Sequence, residues 1–545
     1  VKLFFVGMMG SGKTSVGRAL AARLGWRFVD LDSEIERAEG RAISAIFAEK
    51  GEPAFRALEA LAAAGAAAEP GDAVVSLGGG AVMDEGTRRR IREGGRIVWL
   101  RGSPAALSAR VSGGDRPLLR GVPPEERARR IAELLAARAP FYDEIADFAI
   151  ETEGRGPAEI AEALASRLLA ARVVRADFGS CAYDVLVEPG ALGRLGRAMR
   201  RAGLSRGRCA AVTDEVVART PAWETALGAL REAGFEPAVA VVEAGEGAKR
   251  IAVAERLLEG FAAAGLDRGS PVVAVGGGVV TDLAGFAAAV YARGVPLVLA
   301  PTTLLGMVDA AIGGKTGVNL TAGKNLAGAF WQPRLVLCDT DALSTLPPRE
   351  WTSGLGEVLK YALIGPADLF RLASERLPIR PPGPGAPIEE KVALCDLVAR
   401  CAAVKVAIVA QDERETSGAR KALNFGHTIG HALEAAAGYG TIAHGEAVIL
   451  GMRAALFLSR RLGLLSAGEE ARLGAILDRV PAVRFSAGLA DEAILAPLRR
   501  DKKFAREKFL FVLLRGQGSP AIDVEVAEED VLAAIAHLRG GGPPV

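Results

Sequence analysis

The sequence is short of histidine, cysteine, aromatic residues and net charge. Of 545 residues, four are histidine, five are cysteine and 5% are aromatic, and the formal net charge is +2. A balance this close to zero offers no broad basic surface for nucleic acid or an anionic membrane. The cysteines (Cys181, Cys209, Cys338, Cys395 and Cys401) include no CxxC pair and no metal-ligand spacing, so buried thiols in a reducing compartment are expected rather than a disulfide framework. Long hydrophobic runs are missing too. The longest uncharged stretch, 294–308, contains Pro296 and Pro301 and falls short of the ~20 apolar residues that a spanning helix needs. The first residues form an apolar strand-like run, not a basic leader with a cleavage site, so a cytoplasmic location is expected.

What is present is a chain that is 50% hydrophobic and rich in Ala, Gly and Leu. That composition suits α/β domains with ample core, and the length suggests about three or four of them. In the first third, short β-rich runs (2–6, 74–77 and 96–100) alternate with glycines and helical periodicity, which implies a parallel sheet covered on both faces. A helix over 157–172 closes this unit, and the boundary is placed at 172/173. Strand candidates then recur at 183–187, 209–213, 238–242, 272–275 and 297–299. From about Leu343 the pattern turns to long amphipathic helices, with the Pro/Gly-rich 380–387 as a solvent loop. The expected division is 1–172, 173–342 and 343–545.

Gly7-Met-Met-Gly-Ser-Gly-Lys13-Thr14 fits the P-loop pattern between a strand and a helix. Its glycines, Gly10 and Gly12 among them, turn backbone N–H groups toward phosphate, Lys13 adds positive charge, and the Thr14 hydroxyl suits Mg²⁺. Asp30 and Asp32 stand two apart on what reads as one side of an extended segment, one for Mg²⁺ and the other for a substrate hydroxyl. Arg56, Arg116 and Arg138, taken singly, read as ordinary solvated arginines. In order, however, the segments 28–36, 51–59, 77–81, 115–119 and 138–144 together with the P-loop resemble the shikimate kinase family across residues 1–172. The resemblance implies that Asp32, Arg56, Gly79 and Arg138 hold shikimate, with the arginines on its carboxylate and Asp32 taking the hydroxyl proton. It further implies that Gly10, Gly12, Lys13, Thr14, Ser15, Asp30, Arg110 and Arg116 serve ATP and Mg²⁺, Arg116 from a closing lid.

Three of the four histidines, His427, His431 and His444, fall within eighteen residues. His427 and His431 are i,i+4 and share a helical face, so with a carboxylate from elsewhere they suggest a His₂Glu zinc site. The absence of H-E-x-x-H disfavours a zinc protease. Gly276-Gly-Gly278 after an apolar run suits close approach to a cofactor pyrophosphate, and 313–317 and 323–325 read as anion-binding loops.

Taken in order, the segments 245–249, 276–282, 291–294, 301–305, 309–317, 356–360, 412–414, 424–434, 444–446 and 501–503 resemble 3-dehydroquinate synthase from about residue 173 onward. The resemblance implies Zn²⁺ or Co²⁺ on Glu357, His427 and His444, with His431 a proton carrier instead of a ligand. It places Asp214, Glu246, Lys249, Gly277, Gly278, Asp282, Thr302, Thr303, Lys315 and Lys324 around NAD⁺. Arg293, Asp309, Lys315, Asn325, Lys360, Lys405, Arg420, Asn424 and one or both of Lys502 and Lys503 would surround 3-deoxy-D-arabino-heptulosonate 7-phosphate, with Lys315, Lys360, Asn424 and His431 in catalytic roles. The implied conversion oxidises a secondary alcohol, eliminates phosphate, returns the hydride and closes the ring by aldol addition. Residues 413–419 run about one residue longer than the family pattern, which loosens the placement of Arg420.

The expected fold class is therefore α/β: a P-loop kinase domain with a parallel sheet, then an α/β nucleotide-binding domain and a mainly helical metal-binding domain. Rival readings are a related sugar-phosphate cyclase for the second half and a non-enzymatic scaffold; the scaffold predicts loss of Lys13, Glu357 or His444, and all three are present. Small-molecule substrates and a homodimer through the second half are expected, with no nucleic-acid or membrane partner. The two implied reactions are not consecutive in aromatic biosynthesis, so the fusion does not imply substrate hand-over.

Overall fold

A computed structural model describes residues 2–111, 117–383, 385–438, 441–480, 489–500, 504–505 and 508–540. The chain divides into two units, Val1–Leu169 and Ala170–Val545. The division precedes the expected 172/173 because Arg172 and Val173 already pair with Val187 and Leu186 in a strand of the second unit.

The first unit is built on strands β1 (Lys2–Val6), β2 (Arg27–Asp30), β3 (Ala73–Ser76), β4 (Arg96–Arg101) and β5 (Phe148–Glu151), in the spatial order β2-β3-β1-β4-β5. All neighbours are parallel. Strands β1 and β3 are buried along their whole length, as expected where helices cover both faces. The carboxyl ends of β1, β2 and β3 lie side by side, and loops leaving such ends are where open α/β sheets bind ligands.

The second unit holds β6 (Arg172–Asp177), β7 (Ala182–Glu188), β8 (Gly207–Asp214), β9 (Phe235–Val242), β10 (Val272–Gly276), β11 (Leu297–Pro301), β12 (Lys315–Leu320), β13 (Gly323–Phe330) and β14 (Leu335–Asp339). Seven of them form one sheet in the order β6-β7-β14-β11-β10-β8-β9. Only β6 runs antiparallel to its neighbour. β12 and β13 form a separate antiparallel hairpin, where the sequence suggested two anion-binding loops. The chains meet at Gly317 and Gly328, where an added Cβ would strike the opposite backbone. Glycines that read as loop signals are thus the contact points of a tight ribbon.

Helices dominate from Pro348 onward. They enclose a second departure from expectation, a three-stranded antiparallel sheet of β15 (Phe504–Ala505), β16 (Lys508–Leu514) and β17 (Pro520–Ala527). The apolar run Lys508–Leu514 is its central strand, buried from Val512 to Leu514. The segment 380–387 connects two helices, with Pro384 outside the described residues. The five cysteines form no disulfide, and all but Cys181 are buried. Among the described residues, no helix is long and apolar enough to cross a membrane.

One hydroxyl ties the small sheet to the helices. Ser459, in the helix His444–Arg461, donates to Ala455 O (2.7 Å) and accepts from Leu514 N of β16 (3.0 Å). Ser459→Ala leaves that buried N–H without its acceptor. The expected cost is ~1–3 kcal/mol, read as a lower urea midpoint for the transition that carries this unit.

Candidate active sites

In the first unit, the turn from β1 into the helix Lys13–Leu24 uses Gly10 and Gly12 at φ 78° and 87°, a conformation that L side chains resist. Lys13 Nζ lies inside this loop, donating to Gly7 O (2.9 Å) and Met8 O (3.0 Å). Thr14 Oγ1 donates to Asp30 Oδ2 at 2.7 Å. Asp30 ends β2, whereas Asp32 already lies in the first turn of the helix Leu31–Glu39. The two carboxylates therefore do not share a side of an extended segment: Asp30 turns to the P-loop threonine, and Asp32 faces the turn after β3.

That turn, Gly78–Gly80, gathers the remaining expected residues. A Cβ at Gly78 would meet Glu59 and stand 3.0 Å from Asp32 Oδ1, and a Cβ at Gly80 would meet the Arg56 guanidinium. Arg138, 5% exposed, donates from Nη1 to Gly79 O at 3.1 Å. Arg56 pairs with Glu52 at 2.7 Å and with the buried Glu59. Burial pushes the Glu59 carboxyl above the usual carboxylate range, against the pull of Arg56. Sequence reasoning passed over Glu59; its i,i+3 spacing from Arg56 was the available signal. Arg110 spends two donors on Thr152, at 2.8 and 2.6 Å. Arg116 lies outside the described residues.

In the second unit, the carboxyl ends of adjacent strands β8, β10 and β11 present Asp214, Gly277 with Gly278, and Thr302 with Thr303. A Cβ at Gly277 would stand 3.1 Å from Thr303 Cγ2, so glycine lets these turns close on each other. Asp282, on the helix opening at Gly278, pairs with the buried Lys249 at 2.8 Å. Lys249 also donates to Asn325 Oδ1 at 2.6 Å, and Asn319, missed in the sequence, links Glu246 to the Asn325 backbone at 2.7 and 2.8 Å. Lys324 sits beside Asn325 on β13.

Deeper in this unit lies a line of alternating charges, buried except for the half-buried Asp309. Glu357 and Lys360, on the helix Pro348–Ile364, pair with each other. Lys405 reaches the Asp309 carboxylate at 2.9 Å and its backbone carbonyl at 2.7 Å. Tyr361, also missed, donates to the same carboxylate. Burial opposes ionisation of Asp309, but Lys405 and Lys360 outweigh it and hold the carboxyl far below its ordinary range. Arg420, 3% exposed, donates to Glu413 O at 2.8 Å. The long loop before it is ordered by Asp412, which accepts from the N–H groups of Thr416, Ser417 and Gly418 at 2.7–3.1 Å. Lys315 pairs with Glu415, which also lies 3.6 Å from Arg420. Asn424 is half-buried three residues before His427. Arg293, at φ 68°, is exposed beyond the Gly278 helix. Lys502 and Lys503 lie outside the described residues.

His427 and His444 each open a helix, His427–Ala437 and His444–Arg461. Their Nε2 atoms lie 3.5 and 3.6 Å from Glu357 Oε1. Tetrahedral ligands about 2.1 Å from an ion stand about 3.4 Å apart, so these separations fit a metal triad. Neither buried Glu357 oxygen has a properly oriented hydrogen-bond donor: Oε2 lies against Lys360 Nζ, and Oε1 is the one directed at the histidines. The helical i,i+4 pair is corrected here: among the described residues, no cluster with ligand spacing contains both His427 and His431. One helical turn carries His431 outward, and its ring centroid is 5.9 Å from that of His444. Burial, reinforced by Lys360, pushes His427 down to about 3, whereas at His444 burial is outweighed by Glu357 and Glu434, which raise it to about 10; a metal at these positions would take both imidazoles neutral.

Glycine makes this meeting possible. A Cβ at Gly356 would strike the backbone of Gly445, one at Gly445 would overlap Ser353 O, and one at Gly451 would overlap Gly426 O. The segments that carry Glu357, His427 and His444 thus approach backbone to backbone.

Family profiles match along the chain in order: shikimate kinase over residues 9–169, the 3-dehydroquinate synthase N-terminal domain over 239–353 and its C-terminal domain over 354–504. A 3-dehydroquinate synthase of Synechococcus sp. (strain CC9605) is 42% identical over 359 residues, 66% of this chain and 95% of that protein. The Rhodospirillum rubrum 3-dehydroquinate synthase is 42% identical over 396 residues, 71% of this chain and all of that one. The chain belongs to the 3-dehydroquinate synthase family. It carries a shikimate kinase domain ahead of the synthase. Two solved relatives share the synthase fold. A 2-deoxy-scyllo-inosose synthase complexed with carbaglucose-6-phosphate, NAD⁺ and Co²⁺ is 26% identical, with TM-score 0.59, over 67% of this chain and 100% of its own. The 2-epi-5-epi-valiolone synthase of Streptomyces hygroscopicus subsp. jinggangensis, with NAD⁺ and Zn²⁺ bound, is 30% identical, with TM-score 0.58, over 66% and 98%.

The glycine contacts of the synthase lead to a direct test. Gly445→Ala drives a methyl group into Ser353 O, so the helix carrying His444 must move away from Glu357. Zn²⁺ retained after dialysis, measured by atomic emission, should fall sharply, with ~1–3 kcal/mol lost from overpacking.

Proposed function

We propose that the two halves act on small molecules of aromatic biosynthesis: ATP-dependent phosphorylation of the shikimate 3-hydroxyl, and conversion of 3-deoxy-D-arabino-heptulosonate 7-phosphate to 3-dehydroquinate and phosphate. For the kinase, the observation that carries this reading is the gathering of Asp32, Arg56 and Arg138 on the Gly78–Gly80 turn beside the P-loop. Two guanidiniums suit a carboxylate, and Asp32 is typed to take the proton of the attacking hydroxyl. Thr14 and Asp30 would hold Mg²⁺, with Gly10, Gly12, Lys13, Ser15, Arg110 and Arg116 around ATP. The Lys13 ammonium, now on loop carbonyls, is placed to transfer its hydrogen bonds to phosphate oxygens.

For the synthase, the carrying observation is the Glu357–His427–His444 triad beside the buried Lys360 and Lys405. These three residues would hold Zn²⁺ or Co²⁺, and Asp214, Glu246, Lys249, Gly277, Gly278, Asp282, Thr302, Thr303, Lys315 and Lys324 would surround NAD⁺; the ion supplies Lewis acidity and the nicotinamide a reversible hydride acceptor. The solved relatives crystallised with NAD⁺ and Co²⁺ or Zn²⁺ support this assignment. Arg293, Asp309, Lys315, Asn325, Lys360, Lys405, Arg420, Asn424 and one or both of Lys502 and Lys503 would hold and orient the substrate. The buried cations Lys360, Lys405 and Arg420 would grip its carboxylate and phosphate, and His431, on the solvent side, would relay protons. A homodimer through the synthase unit and a cytoplasmic location complete the reading.

Separate sites make separable losses. Lys13→Ala should reduce shikimate-dependent ADP formation by ~10²-fold or more and leave phosphate release from the heptulosonate phosphate unchanged. His444→Ala should do the reverse, and loss of both activities in either variant would refute independent sites. A heptulose phosphate lacking the carboxylate should release no phosphate; turnover of that compound in preference would favour a related cyclase.

Arg138→Lys keeps the charge but not the guanidinium fork. It should raise the shikimate KM by ~10-fold or more, the worth of a charge-assisted hydrogen bond, with the ATP KM little changed in steady-state assays.

A further inference from the structure

Both ring nitrogens of His444 face a carboxylate. Nε2 lies 3.6 Å from Glu357 Oε1, and Nδ1 lies 3.4 Å from Glu434 Oε2. His427 has the same layout with a weaker partner: its Nε2 faces Glu357 Oε1 at 3.5 Å and its Nδ1 faces the Phe425 carbonyl oxygen at 3.2 Å. A neutral imidazole that binds a metal through one nitrogen carries its proton on the other, so an acceptor there fixes both tautomer and ring rotation.

The backbone around His444 is held independently of its ring. Ala443 N donates to Glu446 Oε2 at 2.9 Å, and Gly445 N donates to Ser353 Oγ at 3.2 Å. These contacts place the Cα of His444 and leave the ring to be oriented by what meets Nδ1. Glu434 is suited to that task. Its side chain is 12% exposed, and it stands seven residues after His427 on the same helix, hence on the same face. One helix thus delivers a ligand at its first residue and, two turns later, the carboxylate that meets the ligand of the neighbouring helix.

We propose that Glu434 is a positioning residue of the metal centre, accepting the Nδ1 proton of His444 so that Nε2 is presented to the ion. The proposal rests on the reading of Glu357, His427 and His444 as metal ligands. It competes with a second arrangement, because His431, Glu434 and His444 also have ligand spacing and would make Glu434 a ligand of an additional ion.

The test uses the full chain freed of metal, with Zn²⁺ affinity read by competition against a chromophoric chelator and stoichiometry by titration. Glu434→Ala should weaken Zn²⁺ about 10–100-fold, the usual effect of losing such a partner. Glu434→Gln, which keeps an oxygen acceptor without the charge, should lose less. The stoichiometry should stay at one ion, and NAD⁺ affinity should be unchanged, which shows that the unit remains folded. An affinity of Glu434→Ala within twofold of wild type, or a loss in Glu434→Gln as large as in Glu434→Ala, overturns the proposal. A wild type that takes two ions, of which Glu434→Ala loses one, overturns it in favour of the outer site. Unaltered Zn²⁺ affinity in His444→Ala would instead remove the metal reading itself, and the proposal with it.

Discussion

Glu357 is a carboxylate with no access to solvent, and much of the synthase unit is arranged around making that tolerable. An isolated buried charge is far more costly than a buried amide or hydroxyl, so it must be met by opposite charge at close range. Lys360 meets it from the next turn of its own helix, and His427 and His444 face it from two others. Lys360 in turn lies within the influence of Asp309, which Lys405 and Tyr361 hold. The result is a chain of alternating charges from the metal-binding helices to the turn after β11. This chain joins the α/β half of the synthase to its helical half; removing Lys360, the full cation paired with Glu357, would leave that carboxylate buried without it, at ~3–5 kcal/mol. In the proposed function, fold and chemistry use the same charges: the cations suited to an anionic substrate are those that neutralise the two carboxylates.

The kinase unit is built to meet anions by a different route. Its candidate phosphate site is backbone, a glycine turn at a helix N-terminus, and the carboxylate site proposed for it consists of two arginines held at a turn. Glu59 and Glu52 orient Arg56, whose five N–H donors leave some for a ligand after those pairs are made. The synthase buries lysines as compact charges, whereas the kinase presents guanidinium forks, Arg138 buried and Arg56 partly exposed, which suits planar recognition of a small acid.

These differences explain what was legible in the sequence. The P-loop and the glycine turn after β10 are contiguous, with chemistry carried by a strand, a turn and a helix in immediate succession. Local pattern reading therefore finds them. The proposed metal triad comes from three helices brought together by Gly356, Gly445 and Gly451, and periodicity reports only that His427 and His431 share a face. It does not report that the first turn of that helix points inward while the second has already climbed toward solvent. Asp30 and Asp32 misled for a similar reason: their spacing fits a strand, but the chain becomes helical at Leu31. The β12–β13 hairpin was obscured because glycine there serves close backbone approach, not a loop, and β15–β17 because one apolar strand among many helices carries no period of its own. Glu59, Tyr361 and Glu434 act through other side chains, so their residue types alone announce nothing.

Each site draws all its described residues from one unit. The kinase core around Phe4, Val75 and Tyr142 shares no residue with the synthase cores around Val272, Trp351 and Leu513 or around Trp223 and Val298. Two cores with separate membership supply separate hydrophobic driving forces, so a substitution that loosens one need not disturb the chemistry of the other. Covalent linkage then constrains quantity before it constrains geometry. Every molecule made carries one copy of each site, whatever the order of the two reactions. That consequence follows from the single chain alone, and it gives the fusion a physical meaning without passage of any intermediate between the sites.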